Sequence, residues 1–150
     1  MGAHKDRLKA DLAAALRAKD EIAKGNIRML LAAITNAEVA GATAKQLSDD
    51  EELAVLTKEH RQRKDSAQTY AEAGRPDLAE KEAAEAEFIA AYLPTPLTQE
   101  ELEAIVAEEV AAFDAPSMKQ MGQIVKAVNA RVAGRAEGKT VATLVRAALA

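Results

Sequence analysis

The sequence contains no cysteine and no tryptophan, and aromatic residues make up only 3% of its 150 positions. Without cysteine, the chain has no disulfide bond, no thiolate metal site and no thiol nucleophile that would release ammonia from glutamine. No run of about 18 apolar residues occurs, so we predict no membrane-spanning helix. The beginning of the sequence also lacks the apolar region of a signal peptide. These absences together predict a cytoplasmic chain.

The residue patterns of common catalytic and metal sites are also missing. The two histidines, His4 and His60, are far apart in the sequence and lack the short spacing of metal ligands. No Gly-x-Ser-x-Gly nucleophile motif is present. Glu100, Glu101 and Glu103 cluster at a predicted helix start, where the helix dipole accounts for them. We therefore predict no catalytic residue, no metal site and no cofactor.

Apolar residues recur at helical spacing along nearly the whole chain, and no segment alternates as a half-buried strand does. The first predicted helix carries three leucines on its apolar face, the last of which is Leu16. Capping boxes pair a serine or threonine with a glutamate or glutamine three positions later. Such boxes predict further helix starts at Ser48, Thr98 and Ser117.

The segment YLPTPLT, residues 92–98, interrupts this helical pattern with two prolines. Both cannot lie inside one helix, because each lacks a backbone N–H and biases the preceding residue toward extended backbone. We predict an all-α fold with a domain boundary here. Residues 1–93 form an N-terminal bundle of about four helices, joined by a proline-containing linker to a three-helix tail domain, residues 94–150.

The net charge of −4 hides a strong charge asymmetry. Residues 94–114 carry six acidic and no basic residues, whereas residues 115–150 carry six basic residues and one acidic residue. Excess positive charge favours binding to a phosphate backbone, although cations on polar helix faces are often merely solvated. We predict nucleic-acid binding by the six basic residues, which are Lys119, Lys126, Arg131, Arg135, Lys139 and Arg146.

The segment GRAEGKT, residues 134–140, is similar to a phosphate-binding P-loop but does not meet its requirements. A P-loop needs four residues between its first glycine and the Gly-Lys-Thr, and this segment has three. A predicted amphipathic helix precedes the segment, where a P-loop needs a strand. We instead predict that Gly134 ends one helix and Gly138 begins the next, with Arg135 and Lys139 exposed in the turn.

The third predicted helix contains the charged segment TKEHRQRKDS, residues 57–66, whose cations spread around the helix instead of gathering on one face. Glu59 and Arg63 are spaced to form an ion pair along the helix. His60 and Lys64 differ from the other charged residues because they point toward the apolar side. We favour a half-buried, hydrogen-bonded His60 over a general base, since the sequence shows no second catalytic group.

Four segments taken together resemble the YqeY-like family, whose fold is shared with the C-terminal region of the aspartyl/glutamyl-tRNA amidotransferase B subunit. They are IRMLLAAITNAEV (residues 27–39), residues 58–94 from KEHRQRKDS to AAYLP, SMKQMGQIV (residues 117–125) and GRAEGKTVATLV (residues 134–145). One departure is Glu137, which stands where the family pattern has aspartate, a better residue for capping the start of a helix.

The resemblance implies an all-α, two-part fold whose tail helps to hold tRNA, with tRNA and amidotransferase subunits as partners. The ATP-dependent chemistry of the amidotransferase belongs to a separate domain that this chain does not resemble. We therefore predict a non-catalytic tRNA- or RNA-binding accessory module. Two alternatives stay open: a helical protein–protein adaptor without RNA binding, and participation in carbon–nitrogen ligase activity with glutamine as the nitrogen donor.

Overall fold

A computed structural model of the protein describes residues 2–150. These residues contain seven α-helices, one short 3₁₀ helix and no strand, which confirms the prediction of an all-α fold. The α-helices are α1 (Ala3–Ala18), α2 (Glu21–Glu38), α3 (Asp49–Glu72), α4 (Pro76–Ala90), α5 (Gln99–Ala111), α6 (Met121–Val132) and α7 (Gly138–Leu149). The 3₁₀ helix, η1 (Met118–Gln120), leads directly into α6.

All three predicted capping boxes are present. The Ser48 side chain accepts a hydrogen bond from the amide of Glu51 at the start of α3. Thr98 makes the equivalent bond at the start of α5. The box at Ser117 opens η1 instead of opening α6 directly. Because each box joins residues only three positions apart, local sequence is sufficient to predict it.

The described residues form two compact units, which divide between Leu93 and Pro94. We call them the N-terminal unit, with α1 to α4, and the C-terminal unit, with α5 to α7. The division falls within the proline segment in which we predict the domain boundary. Independent folding of each unit stays a prediction.

The core of the N-terminal unit is built from one face of each of its four helices together with the loop before α3. The sequence predicts Leu16 on this face, yet Leu16 is 49% exposed, while the neighbouring Ala15 is buried. The helical repeat explains the difference, because each step of four residues rotates the side chain by about 40°. Leu16 therefore leaves the face that Leu8 occupies, and Ala15, seven positions after Leu8, stays on it. The buried apolar residues that pack together in this core are Leu8, Ala15, Ile27, Leu30, Ile34, Leu47, Leu56, Ile89 and Tyr92.

Arg63 joins three helices of the N-terminal unit. Its guanidinium lies 3.2 Å from a carboxylate oxygen of Glu59, which confirms the predicted pair within α3. The same group lies 3.7 Å from Glu82 and 3.8 Å from Glu85, both on α4. It also donates a hydrogen bond to the sulfur of Met29 on α2 at 3.3 Å. Arg63 is therefore a tertiary contact, and not only a solvated partner within its own helix.

The C-terminal unit has its own core between α5, α6 and α7. Each buried valine, leucine or isoleucine contributes about 1.5–3 kcal/mol relative to full exposure, so the seven together are the main stabilising term of this unit. They are Leu102, Val106, Ile124, Val128, Val132, Val141 and Val145.

No helix within residues 2–150 combines the length and the apolar character that crossing a lipid bilayer requires.

Candidate nucleic-acid interface

The lysines of η1 and α6 lie on the solvent side of the C-terminal unit. Ile124 and Val128 are fully buried on α6, and Lys126 lies between them in sequence. At about 100° per residue, Lys126 points away from the core that these two residues face. Lys126 is exposed, as is Lys119 in η1. The core contacts of α6 thus hold Lys126 toward solvent.

Helix α7 presents a second pair of cations in the same way. Val141 and Val145 are fully buried, whereas Lys139 and Arg146 are exposed. Lys139 and Arg146 are seven positions apart, which places them on one side of the helix, opposite the valines. The two pairs therefore occupy the outer faces of helices that pack on each other in one core.

Four of the six predicted cations have a charged group that makes neither an ion pair nor a hydrogen bond with any described residue. Within residues 2–150, no aspartate or glutamate oxygen lies within 4 Å of their charged nitrogens. The four cations are Lys119, Lys126, Lys139 and Arg146, and we call them the open cations.

Arg131 differs from the open cations, because it is engaged by two glutamates of α5. Its guanidinium lies 2.8 Å from Glu108 and 3.2 Å from Glu109. The hydrogen bonds that Arg131 donates to Glu108, and then to Glu109, raise the pKa of Arg131 above its ordinary value. Arg131 therefore connects α6 to α5, and its role in nucleic-acid binding stays a prediction.

Arg135 connects the turn between α6 and α7 to the proline segment. Its side-chain Nε donates a hydrogen bond to the carbonyl oxygen of Thr95 at 2.7 Å. Its own carbonyl oxygen accepts a hydrogen bond from the amide of Leu97 at 2.9 Å. A substitution of Arg135 would remove the side-chain bond along with the charge, so its effect on binding would not report charge alone.

The turn itself has the helix–turn–helix form that the two glycines predict. Helix α6 ends at Val132, and Ala133 and Gly134 both adopt the left-handed conformation, with φ of 50° and 83°. Gly138 is the first residue of α7, as predicted. The preceding element is helix α6 and not the strand that a P-loop requires.

The start of α7 lacks a side-chain cap. Glu137 occupies the position before the helix in extended conformation, and its side chain makes no hydrogen bond to the first-turn amides. Free N-terminal amides and the helix dipole both favour an anion at this point. Lys139 lies in the same first turn, so its positive charge adds to that preference.

The described residues offer no alternative site of metal chemistry. Among residues 2–150, no three side chains of His, Asp or Glu are grouped so that they could hold a metal ion. His60, in the N-terminal unit, is half-buried, as the sequence predicts, whereas Lys64, predicted to point toward the same apolar side, is exposed.

Comparison with known proteins identifies relatives along nearly the whole chain. A family model described as "Yqey-like protein" matches residues 5–149. A protein from Clavispora lusitaniae is 36% identical over 133 residues, which cover 85% of this chain and 75% of that protein. One from Pyrenophora tritici-repentis is 30% identical over 134 residues, covering 87% and 71%. One from Meyerozyma guilliermondii is 40% identical over 89 residues, covering 57% and 44%.

All three relatives have the name "Altered inheritance of mitochondria protein 41, mitochondrial". The matched region spans less than half of the Meyerozyma guilliermondii protein. The prediction of a cytoplasmic location is wrong, since these relatives are named as mitochondrial proteins. That prediction depended on a missing apolar span and a missing signal region, and neither feature distinguishes the cytosol from the interior of an organelle.

Proposed function

Since the chain belongs to the YqeY-like family, we propose that its C-terminal unit binds RNA through the phosphate backbone and catalyses no reaction itself. The observation that carries this proposal is the set of open cations on the outer faces of η1, α6 and α7. Transfer RNA is the RNA class that the resemblance to the amidotransferase B subunit favours. The same resemblance favours amidotransferase subunits as protein partners.

The open cations are better placed to bind a phosphate backbone than cations already paired with a carboxylate would be. A lysine already paired with a carboxylate loses that pair when it meets a phosphate, whereas an open cation has no such pair to lose. Each phosphate contact releases condensed counterions, so affinity falls with salt. Four contacts would make the slope of log K against log salt about −3 to −4.

The sharpest test measures binding of unfractionated tRNA across a salt series from about 50 to 200 mM, by fluorescence anisotropy. The double variant Lys126→Gln/Lys139→Gln removes two open cations from two helices. We expect it to bind at least tenfold more weakly, with a salt slope shallower by about 2. Circular dichroism should show unchanged helix content, because both side chains are exposed.

Matched control variants distinguish binding at a specific surface from binding that depends only on total charge. The double variant Lys58→Gln/Lys81→Gln removes two exposed lysines from the N-terminal unit and should bind as the unchanged protein does. Arg131→Gln should lower stability slightly and leave the salt slope nearly unchanged, since Glu108 and Glu109 already compensate that charge. Undetectable binding at low salt, or equal losses in the two double variants, would contradict the proposal.

A helical protein–protein adaptor is the second candidate, and one observation favours it. Ile22 is 78% exposed and Leu16 is 49% exposed, on either side of the turn between α1 and α2. Large apolar side chains at such exposure are common at interaction surfaces, although isolated ones also occur on ordinary proteins. This candidate would be supported if the protein binds no tRNA but retains a partner protein, and if the variant Ile22→Ser releases that partner.

A further inference from the structure

A cleft lies between α3 and α4 in the N-terminal unit, separate from the open cations. Its volume is about 350 Å³. That size is at the lower end of the range for small-molecule pockets, about 300–1,000 Å³. The lining residues are His60, Lys64 and Ala67 from α3, with Ala83, Ala86 and Glu87 from α4.

The cleft exists because small side chains meet where two long helices pack together. His60, Lys64 and Ala67 follow each other at four and three positions, so they form one row along α3. Ala83 and Ala86 face this row from α4 with only a methyl group each. Ala86 is buried, with 5% of its surface exposed.

Side chains of opposite charge lie on the two walls of the cleft. Lys64 extends from α3 and Glu87 from α4, and both are exposed. Among residues 2–150, neither makes an ion pair within 4 Å, with the other or with any third residue. A purely anionic ligand would be repelled by Glu87, and a purely cationic ligand by Lys64.

We propose that this cleft binds a free amino acid in its zwitterionic form. The carboxylate of the ligand lies toward Lys64 and its ammonium group toward Glu87. The side chain of the ligand contacts the alanines that line the cleft. His60 is half-buried at the same wall as Lys64 and bounds the cleft there. This site goes beyond the proposed RNA binding, since it uses other residues in the other unit.

The test is a set of NMR titrations of the full chain, labelled with ¹⁵N, with each of the common amino acids in turn. We expect at least one amino acid to shift backbone amides of α3 and α4 saturably below about 10 mM, and to leave α6 and α7 unchanged. Succinate and putrescine serve as dianion and dication probes. Each should bind at least tenfold more weakly, because each meets one wall of like charge.

Variants then distinguish the cleft from a non-specific surface. Ala83→Leu fills the cleft and should abolish binding, whereas Ala84→Leu adds the same group at the next, exposed position outside the cleft. Leucine is a strong helix former, so both variants should fold. Lys64→Gln and Glu87→Gln should each weaken binding several-fold. The proposal is overturned if no amino acid produces saturable shifts, if the two leucine variants bind alike, or if succinate or putrescine binds most tightly.

Discussion

Replacing Tyr92 by phenylalanine removes a single hydroxyl from a contact between the end of the N-terminal unit and its first helix. The hydroxyl donates a hydrogen bond to a carboxylate oxygen of Asp11 at 2.5 Å. The ring, 6% exposed, packs against Phe88 with 5.9 Å between centroids. The guanidinium of Arg7 lies 4.4 Å from the centre of the Tyr92 ring. Phenylalanine keeps both ring contacts, so the substitution isolates the hydrogen bond.

The expected cost is about 1.5 kcal/mol of unfolding free energy, at the low end for a hydrogen bond to a charged group. Two features of the structure set this value. The bond is short and the tyrosine is buried, which favours a large contribution. The Asp11 side chain is 43% exposed, however, so water can solvate its carboxylate once the hydroxyl is gone. The loss of unfolding free energy would be larger if the accepting carboxylate were fully buried.

Urea denaturation measures this cost directly. For a unit of this size, a slope of about 1.5 kcal/mol/M converts 1.5 kcal/mol into a midpoint lower by about 1 M. Circular dichroism follows the helices of the whole chain. Tyrosine fluorescence reports only on the N-terminal unit, because both tyrosines of the sequence, Tyr70 and Tyr92, lie in that unit. Tyr70 still reports on that unit when Tyr92 is replaced.

Tyr70→Phe is the matched control. Its hydroxyl makes no hydrogen bond with any described residue, so its removal should shift the midpoint by only a few tenths of a molar unit or less. If Tyr92→Phe unfolds at the same urea concentration as the unchanged protein, or if both variants are equally destabilised, the hydrogen bond to Asp11 does not stabilise the fold.

Two further predictions concern pH and backbone conformation. Burial, followed by the hydrogen bond to Asp11, raises the pKa of Tyr92 above its ordinary value. The folded state thus holds this proton more tightly than the unfolded state. The resulting stability is complete below pH about 10 and is lost as the pH rises past it. Above pH about 10, the free energy of unfolding should therefore fall more steeply with pH for the unchanged protein than for Tyr92→Phe. Ala133→Gly should stabilise the C-terminal unit by about 0.5–1 kcal/mol, because Ala133 has a φ of 50° that glycine adopts without strain; a lower thermal midpoint would contradict this.

The location of several helix ends could be predicted from the sequence because the interactions that set them are local. The capping boxes at Ser48, Thr98 and Ser117 each join residues three positions apart. Gly74 and Gly134 end their helices with positive φ, which glycine alone adopts without cost. Ala133 also has positive φ, and no sequence rule indicates this for alanine.

The candidate interface was only partly predictable. Its six cations could be found by counting charges, and the exposure of the five that lie on η1, α6 and α7 agrees with helical periodicity. Counting charges cannot separate the open cations from Arg131, whose partner Glu109 is 22 positions away on another helix. It also cannot reveal that Arg135 bonds to Thr95 across 40 positions.

The sequence by itself determined the helical class, several helix starts and the uneven distribution of charge, because these depend on composition and on neighbours within one helical turn. Tertiary structure alone decided which charges are neutralised, how Tyr92 meets Asp11 across 81 positions, and where Lys64 and Glu87 face each other across a cleft. Such contacts depend on how whole helices pack. Packing is a collective result of the buried apolar faces, and the spacing of the polar residues in the chain does not encode it.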